Sequence, residues 1–349
     1  MKNILLSLVV FLLWVNSAGA QEGYWPKYAD AGWQPASSEY KINTAAQLAQ
    51  LAILVNNGER FEDVTFTLES DIDLSAHYWT PVGEENTTPF CGTFDGKNHT
   101  IEGLLIDNNI TDYWGVYSAL FGRIAGKAHL KNIILGSGLI KGGMGDGTLT
   151  ASLIADVLTE DTQPVRISSC YNLGVVVIAG SGARGGRTGG LIASIRTESE
   201  ATAKTSITIE ECVNNADVTG ICTSSYTGGL IGFVSAGNHA EIVITDCYND
   251  ANVKGTKDCT GGLAGRMQAS SDANVMLVAC MAGATIQGGE GYTGGLVGHL
   301  KASGTNSIAK VKACSVSAHE LKGNNEFTHI FIGKNENGTL EDNQDESEN

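Results

Sequence analysis

The chain reads as an all-β protein: a single-stranded right-handed parallel β-helix with turns of about 33 residues and a helical cap at its N-terminal end. Three observations predict this. A glycine-rich octapeptide recurs, reading TGGLIGFV (227–234), TGGLAGRM (260–267) and TGGLVGHL (293–300) in its clearest copies. Weaker copies begin at Tyr117, Thr150, Thr188 and Thr328, so successive starts lie 33, 38, 39, 33, 33 and 35 residues apart. Five of the eight cysteines fall at one place in successive repeats, and 44 glycines against five prolines suit short strands and tight corners. A sustained period of that size is the mark of a solenoid, in which each repeat buries its apolar face against the next.

The elements follow in order. Residues 1–20 have the form of a signal peptide, with Lys2, an apolar run from Ile4 to Val15 and the small residues Ala18, Gly19 and Ala20 before the cut. Residues 21–60 form the cap. There Thr44 is placed to N-cap an amphipathic helix over 45–55, with Leu48, Leu51, Ala52 and Val55 at helical spacing and Gly58 as the stop. Tyr24, Trp25, Tyr28, Trp33 and Tyr40 would help to close that end, since an open first turn exposes apolar interior and a strand edge. Residues 61–335 form the β-helix, and 336–349 an acidic disordered tail.

Within one repeat three strand patterns stand out, ADVTG, TGGLIGFV and EIVITDC. The recurring cysteines Cys170, Cys212, Cys247, Cys280 and Cys314 define an inward slot, filled earlier by Leu130 and Ile101. Apolar residues three and five positions before it agree, such as Ile207 and Ile209 or Ile242 and Ile244. Two positions after the slot, Asn132, Asn172, Asn214 and Asn249 are expected to stack as an amide ladder. In-register cysteines point in parallel, which suits poorly the dihedral of about 90° that a disulfide needs. The five are therefore expected as buried thiols. The disulfide candidate is Cys222 with Cys259, both just ahead of a glycine pair in adjacent repeats.

The octapeptide contains GLIG (229–232), GLAG (262–265) and GLVG (295–298), with GLIA (190–193) and SLIA (152–155) departing from it. The preceding stretch runs INTAAQLAQLAILVNNG (42–58), DIDLSAHYWTPVG (71–83) and FCGTFDGKNHTIEGLLI (90–106). In these features the chain resembles the GLUG-motif bacterial surface proteins across nearly all of its length after residue 20. The resemblance implies adhesin-like β-helix repeats of the kind found in non-catalytic regions of immunoglobulin A peptidases. The HExxH, sortase-anchor and lipid-anchor motifs of larger members do not occur in it.

A net charge of −16 argues against nucleic acid as a partner. No run after residue 20 is long enough to span a membrane. The segment GSGARGGRTGG (180–190), with Arg184 and Arg187, fails the phosphate-loop spacing and reads as a corner insertion. Scattered histidines and the lack of a CxxC pair give no metal site, and no cofactor is called for. One acidic cluster could carry chemistry. Glu211 and Asp246 each precede a slot cysteine on adjacent turns, with Glu210 and Asp250 near. Their expected spacing of about 5 Å matches that of a retaining glycosidase pair, and the same oxygens could equally hold calcium. Tyr113, Trp114 and Tyr117 are the glycan-binding candidates. Trp79 reads as a core or cap residue. Three functions stay open: an exported structural or adhesive module recognising a host or bacterial surface glycan or protein, a carbohydrate-active enzyme at the acidic corner, and a subunit of a larger surface assembly. The first is favoured, with an extracellular, cell-surface or periplasmic setting.

Overall fold

The computed structural model describes residues 23–347 apart from positions 36, 85–86, 109–116, 160–162, 181–183, 198–203, 222–223, 238, 284 and 325. The expected signal peptide, residues 1–20, lies outside the described residues. The chain winds as a parallel β-solenoid built from five stacked sheets of ten, nine, seven, seven and seven strands. We number the sheets I to V in the order in which one turn visits them. A representative turn runs through Ala240–Thr245 in sheet I, Tyr248–Asn249 in sheet II, Val253–Gly255 in sheet III, Cys259–Gly261 in sheet IV and Ala264–Ala269 in sheet V. The expected strand patterns are thus sheet III, the pair IV and V, and sheet I. Sheet II is a fourth piece, two or three residues wide, too short for alternation to reveal it.

The cap forms as expected around the helix Ala45–Asn56. Thr44 Oγ1 accepts from Gln47 N at 3.2 Å, and Gln47 Oε1 accepts from Asn43 N at 2.8 Å, which satisfies donors left open by the first turn. Leu48, Leu51, Ala52 and Val55 are buried. Trp25 donates from Nε1 to Leu74 O at 2.9 Å, and Trp33, Tyr40 and Phe66 pack ring on ring. The cap is not purely helical. Glu39–Ile42 is the first strand of sheet I, so the solenoid begins before residue 61.

The other end also departs from expectation. Strands Ile332–Glu336, Thr339–Glu341 and Gln344–Asp345 continue sheets V, I and II, so most of the expected tail is a further turn. Several of its inward places turn polar, although Ile332 and Leu340 stay apolar. Asn335 pairs with Leu300, and Asp345 with Val316. At the slot, Asn343 Oδ1 accepts from Cys314 N at 2.9 Å and its Nδ2 donates to Val311 O at 3.1 Å. An acidic sequence with few apolar residues reads as disorder, but here its polar groups bond to backbone that the last turn would otherwise leave open.

The cysteine slot exists, with a corrected register. Cys170, Cys212, Cys247, Cys280 and Cys314 are buried free thiols. Leu130 pairs with Ile167, however, and Ile101 with Leu135. It is Ile133 that precedes Cys170 in the slot, as the parallel bonds Tyr171 N to Ile133 O and Val213 N to Cys170 O show. Leu130 misled because apolar residues also fill the place three positions upstream, and Ile101 because the place two positions downstream is apolar in the early turns. The amide ladder is real for Asn172, Asn214 and Asn249, bonded at 2.7 and 2.8 Å. Asn132 is not in it. It sits instead in a left-handed corner ahead of the slot, together with Ser169, Glu211, Asp246, Ala279, Ala313 and Asp342, at φ of 49° to 54°.

The glycines of the octapeptide serve space rather than dihedral freedom, since none of those at 228, 229 or 232 has a positive φ. A Cβ on Gly228 would lie 1.9 Å from Ile231 O, which a sharp reversal between sheets IV and V forbids. One on Gly229 would lie 2.3 Å from Asn249 Nδ2, inside the ladder. Gly265 faces outward instead, and its Cβ would come within 2.6 Å of Thr227 N on the previous turn. The outer faces of sheets IV and V are therefore folded against each other. Ala155 and Ala193 fill the equivalent of Gly265 in the earlier turns, buried beside Tyr117, Leu149 and Ala151. Gly265→Ala is expected to destabilise the chain by about 1–3 kcal/mol, whereas Ala193→Gly costs about 1 kcal/mol or less. Urea midpoints of the two variants check this, and equal effects would contradict the fold-back.

Candidate functional site

The fold-back creates a seam lined by two facing columns of side chains. Sheet IV contributes Tyr117, Leu149, Arg187, Tyr226, Cys259, Tyr292 and, next in line, Phe327. Sheet V contributes Arg123, Asp156, Ser194, Phe233, Arg266, His299 and Lys334. Residues seven apart in sequence meet across the seam. Arg187 Nη1 donates to Ser194 Oγ at 2.8 Å. The rings of Tyr226 and Phe233 stack at 5.2 Å, and those of Tyr292 and His299 lie 5.6 Å apart. The signal for these residues was present in the sequence: from Leu149 and Asp156 onward they stand one position before the octapeptide and seventh within it, while Tyr117 opens its own copy.

One turn breaks the column of bulky groups. Cys259, between Tyr226 and Tyr292, is small, and a cavity of about 390 Å³ opens there. Its walls are held in place. Tyr226 is stacked on Phe233 and accepts from Arg266 Nη1 at 2.9 Å. Tyr292 meets Phe327 edge to face at 5.3 Å, and Lys334 Nζ lies 4.9 Å from its ring centre. The opposite wall is Arg266 and His299, and Asp258 and Glu290 stand exposed at the rim. Arg266 Nε has no hydrogen-bond partner. His299 Nε2 is likewise without a hydrogen bond, 3.5 Å from Glu336 Oε1. Burial, and then the charge of Arg266, hold His299 down to about 4, while the carboxylate of Glu336 opposes them. Burial pushes the Cys259 thiol up to about 12.

The residues singled out from sequence fare differently. Tyr113, Trp114 and Cys222 lie outside the described residues. Tyr117 is buried, 3% exposed, with its hydroxyl pushed up to about 12 by burial and by Asp156. It lines a separate, mainly apolar cleft of about 310 Å³ with Tyr24, Trp79 and Ile106. Trp79 is a core residue that donates from Nε1 to Leu120 O at 2.9 Å. Cys259 is a free thiol in register with Tyr226 and Tyr292, so the column offers it no cysteine partner and the proposed disulfide is corrected. Arg187 is no part of an open loop. The strand Arg184–Gly189 carries it into the seam, where its guanidinium lies 4.4 Å from the Phe233 ring centre and burial lowers it to about 10.

The acidic residues sit on adjacent turns, as expected, but each carboxylate has its own hydrogen-bond partner. Glu211 and Asp246 occupy the same exposed left-handed position of adjacent turns. Glu211 Oε2 accepts from Ser169 Oγ at 2.9 Å, whereas Asp246 Oδ2 accepts from Thr245 Oγ1 at 2.8 Å. Glu210 is the last residue of its sheet I strand, and Asp250 lies beyond sheet II, beside Tyr248 and Gly283. Among the described residues no group of three His, Cys, Asp or Glu side chains is placed to hold a metal ion. Nor is any described helix long and apolar enough to cross a membrane.

No family model matches the chain, and no curated protein does. A solved structure from Bacteroides ovatus, named a "putative immunoglobulin A1 protease", is similar to it at a TM-score of 0.61 and 20% identity, over 88% of this chain and 84% of that one. The likeness is one of fold.

Two outcomes are expected. In the slot, each thiol's hydrogen bond to the thiol of the turn before, together with burial, pushes Cys212, Cys247, Cys280 and Cys314 well above the ordinary range. Iodoacetamide at pH 8 should therefore leave these four and Cys259 unmodified until the chain is unfolded, as peptide mass spectrometry would show; native labelling would place them at the surface. The second outcome concerns acid. His299 takes up a proton at about 6.5 in the unfolded chain and only near 4 when folded. Unfolding therefore binds a proton between those values, and stability falls as pH drops through that window. His299→Gln should remove on the order of 1–3 kcal/mol of that loss at pH 4, read from melting temperatures across pH 4 to 7, and an unchanged slope would show that His299 is not buried neutral.

Proposed function

We propose that the chain is an exported, non-catalytic β-helix module of the bacterial surface that adheres to glycans through the seam cavity. The observation that carries this reading is the cavity at Cys259, with its two braced tyrosine walls and polar groups on the remaining sides. Sugars bind by laying apolar ring faces on aromatic rings while their hydroxyls meet fixed polar groups. The cavity offers both, with Tyr226, Tyr292, Arg266 and His299 carried on sheet strands. The name of the Bacteroides neighbour suggests a setting among proteins that meet immunoglobulin, itself a glycoprotein, and the resemblance to GLUG-motif repeats supports an adhesive part in that setting. The separate partners taken by Glu211 and Asp246 favour binding over glycoside cleavage.

A glycan-array screen of the purified chain tests this, with Cys259→Tyr in parallel and reducing ends followed over time. Saturable binding that the variant loses, without product, is the expected result. Release of shorter sugars would overturn the non-catalytic reading, and silence on every glycan would overturn the adhesive one.

A further inference from the structure

We infer that the seam cavity is built for a sugar that carries a carboxylate, held with the acid group inward against Arg266. This rests on the glycan reading above and names the class of sugar. The first ground is charge. Arg266 is half-buried, its Nη1 is committed to the neutral hydroxyl of Tyr226, its face lies over the Tyr226 ring, and no carboxylate pairs with it among the described residues. A guanidinium taken partly out of water favours a planar, bidentate anion, and a carboxylate matches it better than a lone hydroxyl. Lys334 and Lys301, by contrast, are both paired with Glu336, at 2.6 and 2.9 Å. Arg266 is thus the cation left for a ligand in this part of the seam.

The second ground is the order of polar groups with depth. The inner wall presents the guanidinium of Arg266 beside the ring of His299, which is 6% exposed and whose Nε2 makes no hydrogen bond among the described residues. The rim presents acceptors, the carboxylate of Asp258 and that of Glu290, which is ion-paired with Lys257. A neutral sugar has hydroxyls all round and gains nothing from that order. A uronic or sialic type of sugar fits it, with its carboxylate at the donors, its hydroxyls donating to the rim, and its ring between Tyr226 and Tyr292. The third ground is specificity of place. In the flanking turns Tyr226 and Tyr292 fill the same column, so a single site is expected.

The experiment is calorimetric titration of the purified chain with glucuronide-terminated oligosaccharides and with their neutral glucoside counterparts, for the parent chain, Arg266→Gln and Cys259→Tyr. The expected result is one site, at least tenfold tighter for the glucuronide. Arg266→Gln should remove the preference while weak neutral binding remains, and Cys259→Tyr should abolish both. Melting temperatures of the two variants establish that they are folded, and Cys259→Tyr tests the place independently of Arg266. Equal affinity for both sugars, lost in Cys259→Tyr, would overturn the carboxylate inference and leave the glycan reading standing. Binding that survives Cys259→Tyr would overturn the site, and absence of binding to either sugar would overturn both readings.

Discussion

The close approach of sheets IV and V is the constraint on which the rest of the molecule depends. Most solenoid corners need only turn the chain outward around a core. Here the chain also doubles back, so that the outer faces of two successive strands meet. A backbone amide of one strand, such as Thr227 N, then lies where the side chain of Gly265 would begin. Glycine on both sides of the reversal is the simplest answer, and alanine the largest residue found at the Gly265 position in the described turns that depart from it. The interior feels the same pressure, because the second glycine leaves room for Asn214 and Asn249 of the amide ladder.

The seam turns a structural repeat into a surface with individual character. Every turn brings one residue from each strand into contact across it, and these residues differ from turn to turn while the backbone stays in register. The early turns fill the seam with Arg123, Asp156, Arg187 and Arg196, where Arg196 Nη2 meets the fully buried Asp156 at 2.6 Å. The later turns are aromatic. Only the small side chain of Cys259 interrupts that packing among the described turns, and it does so between two tyrosines that are already braced by Phe233 and Phe327. A cavity formed in this way needs no loop to close over it, which limits the ordering a ligand must impose.

Much of the fold was legible because repetition multiplies weak signals. A single TGGL means little, but seven related stretches at a nearly fixed period define a solenoid. Thr44 and the apolar spacing from Leu48 to Val55 likewise located the helix. Register was harder. Leu130 and Ile133 are both inward and apolar, and only the pairing of Ile167 with Leu130 separates them. The last turn was misread because Asn335, Asn343 and Asp345 look like solvent-loving residues, whereas all three bond to nearby backbone. The candidate site was least legible. Tyr226 and Arg266 are forty residues apart, and Cys259 suggested a disulfide; what matters there is the contrast between its size and that of its neighbours along a column, which becomes visible only once the register is known.

The measurement that bears most directly on this account is the nuclear Overhauser contact between ring protons of Tyr226 and Phe233 in a chain with selectively labelled aromatics. The fold-back places the two rings 5.2 Å apart between centres and nearly parallel, so strong cross-peaks are predicted. Their absence, with Phe233 instead showing contacts to core residues such as Ile231 and Val234, would mean that sheets IV and V do not face each other, and the seam with its cavity would not exist.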